Sequence, residues 1–144
     1  MTCIAWDGKT LASDKRASYG DMICTVTKIF RVGELLVGGS GELPFVSAMV
    51  EWIRQGRKIS EFPAAQGSKE DWQPIIVIEA DGTPSIYERT AFPVRYEQQF
   101  VAIGSGREFA RAAMHLGKSA AEAVQCAIDL NTGCGNGIDT LDLQ

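Results

Sequence analysis

Residues 75–88 read Ile75-Ile76-Val77-Ile78-Glu79-Ala80-Asp81-Gly82-Thr83-Pro84-Ser85-Ile86-Tyr87-Glu88. Side chains of a strand alternate between its two faces, so the unbroken apolar run Ile75–Ile78 marks a strand covered on both sides. Asp81-Gly82 is a tight-turn signal that feeds a second short strand, Ser85–Glu88. Strands that are apolar on both faces need a layer against each, and a second sheet inside with helices outside meets that need.

The chain on either side supplies those layers. Upstream, residues 3–6 and 9–16 flank Asp7-Gly8, a two-residue hairpin signal. Thr25 to Val32 is β-branched and alternating and reads as one strand; Gly33-Glu34 turns it into Leu35-Leu36-Val37, which runs into Gly38-Gly39-Ser40-Gly41. The period then changes. Pro44 suits a first helical turn, and Phe45, Met49, Trp52 and Ile53 fall on one face of a helix over 44–55. Residues 56–74 are polar and irregular, with Pro63, Gly67 and Pro74, and read as a long loop. Downstream, the strand Phe100–Ile103 ends at Gly104-Ser105-Gly106. The helix Arg107–Leu116 presents Phe109, Ala112, Ala113 and Leu116, and Ser119-Ala120-Ala121-Glu122 is a capping box opening a helix to about Leu130. A glycine-rich turn, Gly133-Cys134-Gly135-Asn136-Gly137, leads into a last strand, Ile138–Leu143. Strands, a helix, strands, two helices and a strand predict one layered α+β sandwich over residues 1–144.

Composition narrows the function classes. The chain has 144 residues, 45% hydrophobic and 22% charged, with 14 basic against 18 acidic side chains and a net charge of −4. A domain of this length buries about two-thirds of its unfolded surface without staples. Disorder, collagen-like repeats and a disulfide miniprotein are excluded by composition. The acidic balance and the absence of basic runs argue against nucleic acid as a partner. No apolar run reaches the roughly 18–20 residues of a membrane helix and no leader pattern opens the chain, so the expectation is a cytoplasmic protein with no membrane partner. Cys3, Cys24, Cys126 and Cys134 read as reduced thiols. There is no Cys-x-x-Cys, and His115 is the single histidine. Structural zinc and most Ser-His or Cys-His mechanisms are thereby set aside, with no metal and no cofactor expected. His115 itself reads as a plain residue near a helix C-terminus.

Thr2 carries the chemistry that remains. A threonine at position two is small enough for methionine aminopeptidase to remove Met1. An N-terminal threonine then combines a hydroxyl nucleophile with an α-amine whose ordinary pKa is about 7.7–8, a suitable general base that needs no histidine. Lys28 beside it would lower the pKa values of hydroxyl and amine, and Asp14 would hold that lysine charged. Gly38-Gly39-Ser40-Gly41, at a strand-to-helix junction, can point an N–H at a developing oxyanion. Taken singly, each feature has a plain alternative: Met-Thr by chance, a snorkelling strand lysine, a solvated aspartate, and a tight turn or phosphate cradle. The glycines lack the ending of a P-loop and the spacing of a dinucleotide fingerprint.

Together these residues resemble the proteasome β-subunit family of N-terminal nucleophile (Ntn) hydrolases, close to HslV-type peptidases and the small proteasome homologues of bacteria and phages. Thr2-Cys3-Ile4-Ala5-Trp6 with Asp7-Gly8-Lys9 resembles the nucleophile strand and first turn. Asp14 and Arg16 resemble the family's acidic and basic pair and Lys28 its catalytic lysine. Gly38 resembles the oxyanion glycine, with Gly39 as the alternative register. Ala102-Ile103-Gly104-Ser105-Gly106 before an alanine-rich helix resembles a second signature, in which Ser105 orients the threonine amine. Where the family has an aspartate and, three positions on, a serine, this chain has Asn131 and Cys134, or a shifted register using Asp129.

The resemblance implies a four-layer α/β/β/α sandwich, with the helical layer shortened around 56–74. It implies a threonine endopeptidase that cleaves unfolded polypeptides through an acyl-enzyme on Thr2. It further implies a homo-oligomer of stacked rings enclosing the active sites, served by a separate AAA+ ATP-driven unfoldase. A sodium ion on carbonyls of the 131–137 turn is a further property of some relatives. Two other readings stand beside the peptidase: a catalytically silent ring-forming or binding subunit, and an Ntn amidase acting on a small molecule.

Overall fold

A computed structural model describes residues 1–63 and 73–144. The core of the long loop expected over 56–74 lies outside the described residues; of its flanks, Ile59–Glu61 forms a single 3-10 turn.

Two sheets face one another. The first has the order β10-β1-β2-β11, built from β1 (Ile4–Trp6), β2 (Thr10–Asp14), β10 (Val101–Ile103) and β11 (Ile138–Asp142). The second has the order β5-β6-β7-β8-β9, from β5 (Ile29–Val32), β6 (Leu35–Gly39), β7 (Ile75–Ile78), β8 (Pro84–Tyr87) and β9 (Val94–Arg95). All pairings are antiparallel. Helix α1 (Leu43–Arg54) covers the outside of the second sheet, and α2 (Arg107–His115) with α3 (Ala120–Leu130) covers the outside of the first.

The strands alternate as period-two burial requires. Ile4, Trp6, Leu11, Leu36, Ile76, Ile78 and Ile86 fill the layer between the sheets. The intervening Val37, Ile75, Val77 and Tyr87 pack beneath Val46, Met49, Val50 and Ile53 of α1. On the other side Cys3, Ala5 and Ala12 meet Ala110, Ala113, Ala120, Ala123 and Ala127. Small residues on both partners let the two helices lie close on the first sheet. The four-layer α/β/β/α order therefore holds, and the two-faced run Ile75–Ile78 sits where its composition requires.

Three local expectations are corrected. The strand read over Thr25–Val32 is two strands: β4 (Met22–Thr25) ends, residues 26–28 cross over, and β5 begins at Ile29. The stretch 9–16 likewise divides at Lys15, because β3 (Arg16–Tyr19) leaves the first sheet to pair with β4 in a separate two-stranded hairpin. The turn of that hairpin uses Gly20 at φ +59, a left-handed conformation that glycine adopts without penalty. Finally, α2 is rotated from its expected face: it buries Ala110, Ala113 and Met114, and leaves Phe109, Ala112 and Leu116 outward. On this face Ala110, Ala113 and Met114 pack into one cluster with Ala120, Ala123 and Ala127 of α3. The capping box at Ser119 forms as read, with the Ser119 hydroxyl accepting from the Glu122 N–H and the Glu122 carboxylate accepting from the Ser119 N–H.

Candidate active site

Asp14 ends β2 with no exposed surface, and its carboxylate is enclosed by four donors. Oδ1 accepts from the Cys3 N–H at 2.9 Å and from Lys28 Nζ at 2.9 Å. Oδ2 accepts from the Arg16 N–H at 3.1 Å and the Gly135 N–H at 3.1 Å. A buried charge persists only when paired and hydrogen-bonded in this way.

Lys28 is the cation of the pair, only 2% exposed. The crossover 26–28 is what brings it there: the chain leaves the hairpin, and Lys28 enters just before β5 with its ammonium turned onto Asp14. Its three N–H donors have three acceptors: Asp14 Oδ1, Thr2 Oγ1 at 3.2 Å and the Met1 carbonyl at 3.2 Å. Burial normally penalises a lone ammonium, and here the aspartate offsets that cost while the same ammonium reaches the threonine hydroxyl.

Thr2, at 4% exposure, is gripped from the α2 side. Its N–H donates to Ser105 Oγ at 3.2 Å, and its carbonyl accepts from the Gly106 N–H at 3.0 Å. Gly104, at φ +94, passes so close that a Cβ there would lie 2.1 Å from the Thr2 carbonyl oxygen. Asn131, at the end of α3, supports this wall: its Nδ2 donates to the Ser105 carbonyl at 3.1 Å and its Oδ1 accepts from the Gly133 N–H at 2.7 Å. Cys134 is buried beside Gly106 and Cys3. Burial pushes the Cys3 thiol well above the usual thiol range, with Cys134 and Asp14 adding to the effect, and burial likewise raises Cys134.

Thr2, Asp14, Lys28, Ser105, Gly106, Asn131 and Cys134 thus meet in one place. Arg16 and the two candidate glycines behave differently from a simple reading. The Arg16 guanidinium does not face Asp14; it donates to Asn136 Oδ1 at 3.1 Å and to the Thr132 carbonyl at 2.9 Å, and only its backbone N–H reaches Asp14. Gly38 faces inward, where a Cβ would meet Ile4, Ile29 and Ile76. Gly39, one residue on, lines the cleft with Ser40 and Gly41, and its N–H donates to the Lys28 carbonyl at 3.2 Å. The cleft, about 880 Å³, opens on Thr2 and Lys28 between this glycine wall and the β3 edge at Arg16–Tyr19.

Reading the sequence placed Gly104 in a signature and Gly135 and Asn136 in the glycine-rich turn, but gave none of the three a role of its own in the site. Gly135 lies 121 residues from Asp14, and no local pattern announces that contact. Three carbonyls of the glycine-rich turn, the candidates for a sodium site, are engaged within the protein. The carbonyls of Asn131, Thr132 and Gly135 already accept from the Cys134 N–H, Arg16 and the Lys15 N–H, and the Arg16 guanidinium is itself a cation lying on the turn.

No family model matches the chain. In sequence it is 29% identical to "Proteasome subunit beta 1" of Thermococcus gammatolerans, over 86% of this chain and 72% of that protein. It is 28% identical to "Proteasome subunit beta 1" of Thermococcus onnurineus, over 92% of this chain and 81% of that protein. In three dimensions it superposes on "Thiobacillus denitrificans BPH in complex with Epoxomicin" with a TM-score of 0.73 at 16% identity, covering both chains completely. A "eukaryotic HslV from Trypanosoma brucei" gives a TM-score of 0.73 at 19% identity, over 98% of this chain and 97% of that one.

Proposed function

We propose that this chain, a homologue of proteasome β subunits with an HslV-type fold, is a threonine peptidase whose nucleophile is Thr2 once Met1 has been removed. The observation that carries the reading is Lys28 Nζ, 3.2 Å from Thr2 Oγ1 and 2.9 Å from Asp14 Oδ1 in a buried site. A fixed positive charge beside the hydroxyl stabilises the alkoxide character that develops during attack. The freed α-amine, held against Ser105 Oγ, takes the hydroxyl proton directly or through one water. Thr2 Oγ1 then adds to the scissile carbonyl, and the oxyanion faces the backbone of the Gly39–Gly41 wall. The α-ammonium gives that proton to the leaving nitrogen as the C–N bond breaks, leaving an ester on Thr2; the α-amine then takes a proton from a water that attacks the ester, releasing the acid product and regenerating the hydroxyl.

Processing is essential to this scheme. With Met1 present the Thr2 nitrogen is an amide and not a base, and Lys28 donates to the Met1 carbonyl instead of serving the hydroxyl alone. The substrates are unfolded polypeptides, and the chain works in the cytoplasm as a homo-oligomeric ring chamber with an ATP-driven unfoldase. Assembly is supported by the exposed Tyr19, Met22 and Ile23 at the hairpin tip and Leu116 and Leu130 on the helical face, apolar groups that a subunit contact would cover.

Intact mass before and after incubation with epoxomicin tests the reading, together with hydrolysis of a fluorogenic peptide. Wild type should lack Met1, gain one adduct on Thr2 and cleave the peptide; Thr2→Ala should do neither of the last two. Thr2→Ala cleaving at the wild-type rate would refute the assignment. A second reading, a silent ring subunit, draws on the snug place that Lys28 gives the Met1 carbonyl; it predicts retained Met1 and no adduct.

A further inference from the structure

We infer that Asn136 and Arg16 form a positioning relay that sets the Asp14–Lys28 pair from the C-terminal turn, an inference that rests on the threonine-nucleophile reading for its kinetic consequence. Asp14 draws three of its four donors from nearby: Cys3 and Arg16 backbone and the Lys28 ammonium. The fourth, the Gly135 N–H, comes from a turn 121 residues away and must be aimed by that turn. Its aim is set on three sides. The Gly135 carbonyl accepts from the Lys15 N–H at 2.9 Å. The Arg16 guanidinium lies against Gly135, where a Cβ would come within 2.6 Å of Nη2, so any side chain there would push the guanidinium aside. Asn136, the next residue, holds φ +64, which asparagine tolerates better than most side chains.

The Asn136 side chain locks the arrangement. Oδ1 accepts from Arg16 Nε at 3.1 Å, while Nδ2 donates to the Cys24 carbonyl at 3.1 Å and to Thr25 Oγ1 at 3.0 Å. One carboxamide therefore joins the end of β4, the guanidinium and the turn. From the turn the connection runs through the Gly135 N–H to Asp14 Oδ2, and from Asp14 Oδ1 through Lys28 to the Thr2 hydroxyl. Releasing Asn136 lets the turn drift, removes one donor from a buried carboxylate, and loosens the ammonium that the hydroxyl needs. Asn136 is not among the residues lining the cleft that opens on Thr2, so the effect falls on turnover and not on binding.

The pair Asn136→Gly and Asn136→Asp tests this. Both tolerate the left-handed backbone. Asp keeps an acceptor for Arg16 and can receive the Thr25 hydroxyl, whereas Gly keeps neither. Peptide hydrolysis should show Asn136→Gly losing about tenfold in kcat with KM within about twofold, the scale of one hydrogen bond to a charged group; Asn136→Asp should stay within about threefold of wild type. In parallel, amide hydrogen exchange at Gly135 should accelerate about tenfold or more in Asn136→Gly and change little in Asn136→Asp, at similar melting temperatures. Wild-type kcat and wild-type Gly135 exchange in Asn136→Gly would overturn the relay, as would equal losses in both variants. If wild type forms no epoxomicin adduct, the peptidase reading fails by itself, and the exchange pattern still decides whether the turn is aimed through Asn136.

Discussion

The two members of the buried ion pair should respond unequally to neutralisation, and the hydrogen-bond geometry sets the order. In Lys28→Met the cation is replaced by an apolar chain of similar length. Asp14 keeps three backbone donors, Cys3, Arg16 and Gly135, so its charge remains solvated by the protein. The loss is one charge-assisted bond less the desolvation that the ammonium no longer suffers, about 1–2 kcal/mol. In Asp14→Asn the cost is larger. An amide oxygen turned toward Cys3 and Lys28 leaves its NH₂ facing the N–H groups of Arg16 and Gly135, donor against donor. Lys28, 2% exposed, is then a buried cation without an anion. Breaking a buried pair in this way costs about 3–5 kcal/mol, a large share of the roughly 5–15 kcal/mol that holds a domain together. Urea unfolding at one fixed protein concentration, with the Thr2→Ala chain as background to exclude self-digestion, measures both. Asp14→Asn should be less stable than Lys28→Met by about 2 kcal/mol or more, and the double variant should recover part of the Asp14→Asn loss because no unpaired cation remains. Lys28→Met proving the more damaging, or a double variant whose losses simply add, would refute the reasoning. In the Thr2-bearing protein both single variants should abolish peptide hydrolysis.

Gly104→Ala should prevent folding to the active state, because its Cβ would overlap the Thr2 carbonyl at 2.1 Å and the φ of +94 is strained for alanine; soluble yield and circular dichroism at native pH would show it, and a fully active variant would contradict the packing. The buried thiols make stability fall in alkali. The Cys3 pKa is raised on folding, so above about pH 8.5 the unfolded chain loses a proton that the folded chain keeps, and the stability contributed by the protonated thiol declines with slope up to about 1.4 kcal/mol per pH unit. Cys3→Ala should flatten that slope between about pH 9 and 10, measured by urea midpoints. At pH 8, iodoacetamide should leave Cys3 and Cys134 unmodified in the folded protein, with adducts confined to Cys24 and Cys126 by peptide mapping.

Local signals carried much of the architecture. Asp81-Gly82 and the Ser119 capping box act over two to four residues, and the elements they open are where the pattern places them; the Asp7-Gly8 hairpin also forms, but with its turn centred on Gly8-Lys9 and its second strand ending at Asp14. The continuous apolar run Ile75–Ile78 foretold a two-faced strand because burial on both sides leaves no position for a polar residue. The pattern failed where two solutions shared one periodicity. Thr25–Val32 alternates throughout, yet β4 and β5 belong to different sheets, and nothing within eight residues records the change of partner. On α2, Phe109 and Leu116 match a helical face as well as Ala110 and Ala113 do, and the decision falls to the close approach of α3.

The candidate site divides along the same line. Thr2, Asp14 and Lys28, which the structure brings together, were legible as a candidate site from residue type and order along the chain: a hydroxyl next to Met1, a cation and an anion to hold the cation. Ser105 came with its glycine-flanked turn. What the sequence alone determined is therefore which side chains the candidate site brings together and the layers that bury them. Tertiary structure decided their orientation. It turned Arg16 away from Asp14 onto the C-terminal turn, placed Gly39 and not Gly38 on the cleft wall, and brought the Gly135 N–H and Ser105 to residues more than 100 positions away. Such contacts leave no periodic trace, because hydrogen bonds between distant segments depend on sheet register and turn direction, quantities that exist only after the layers have packed.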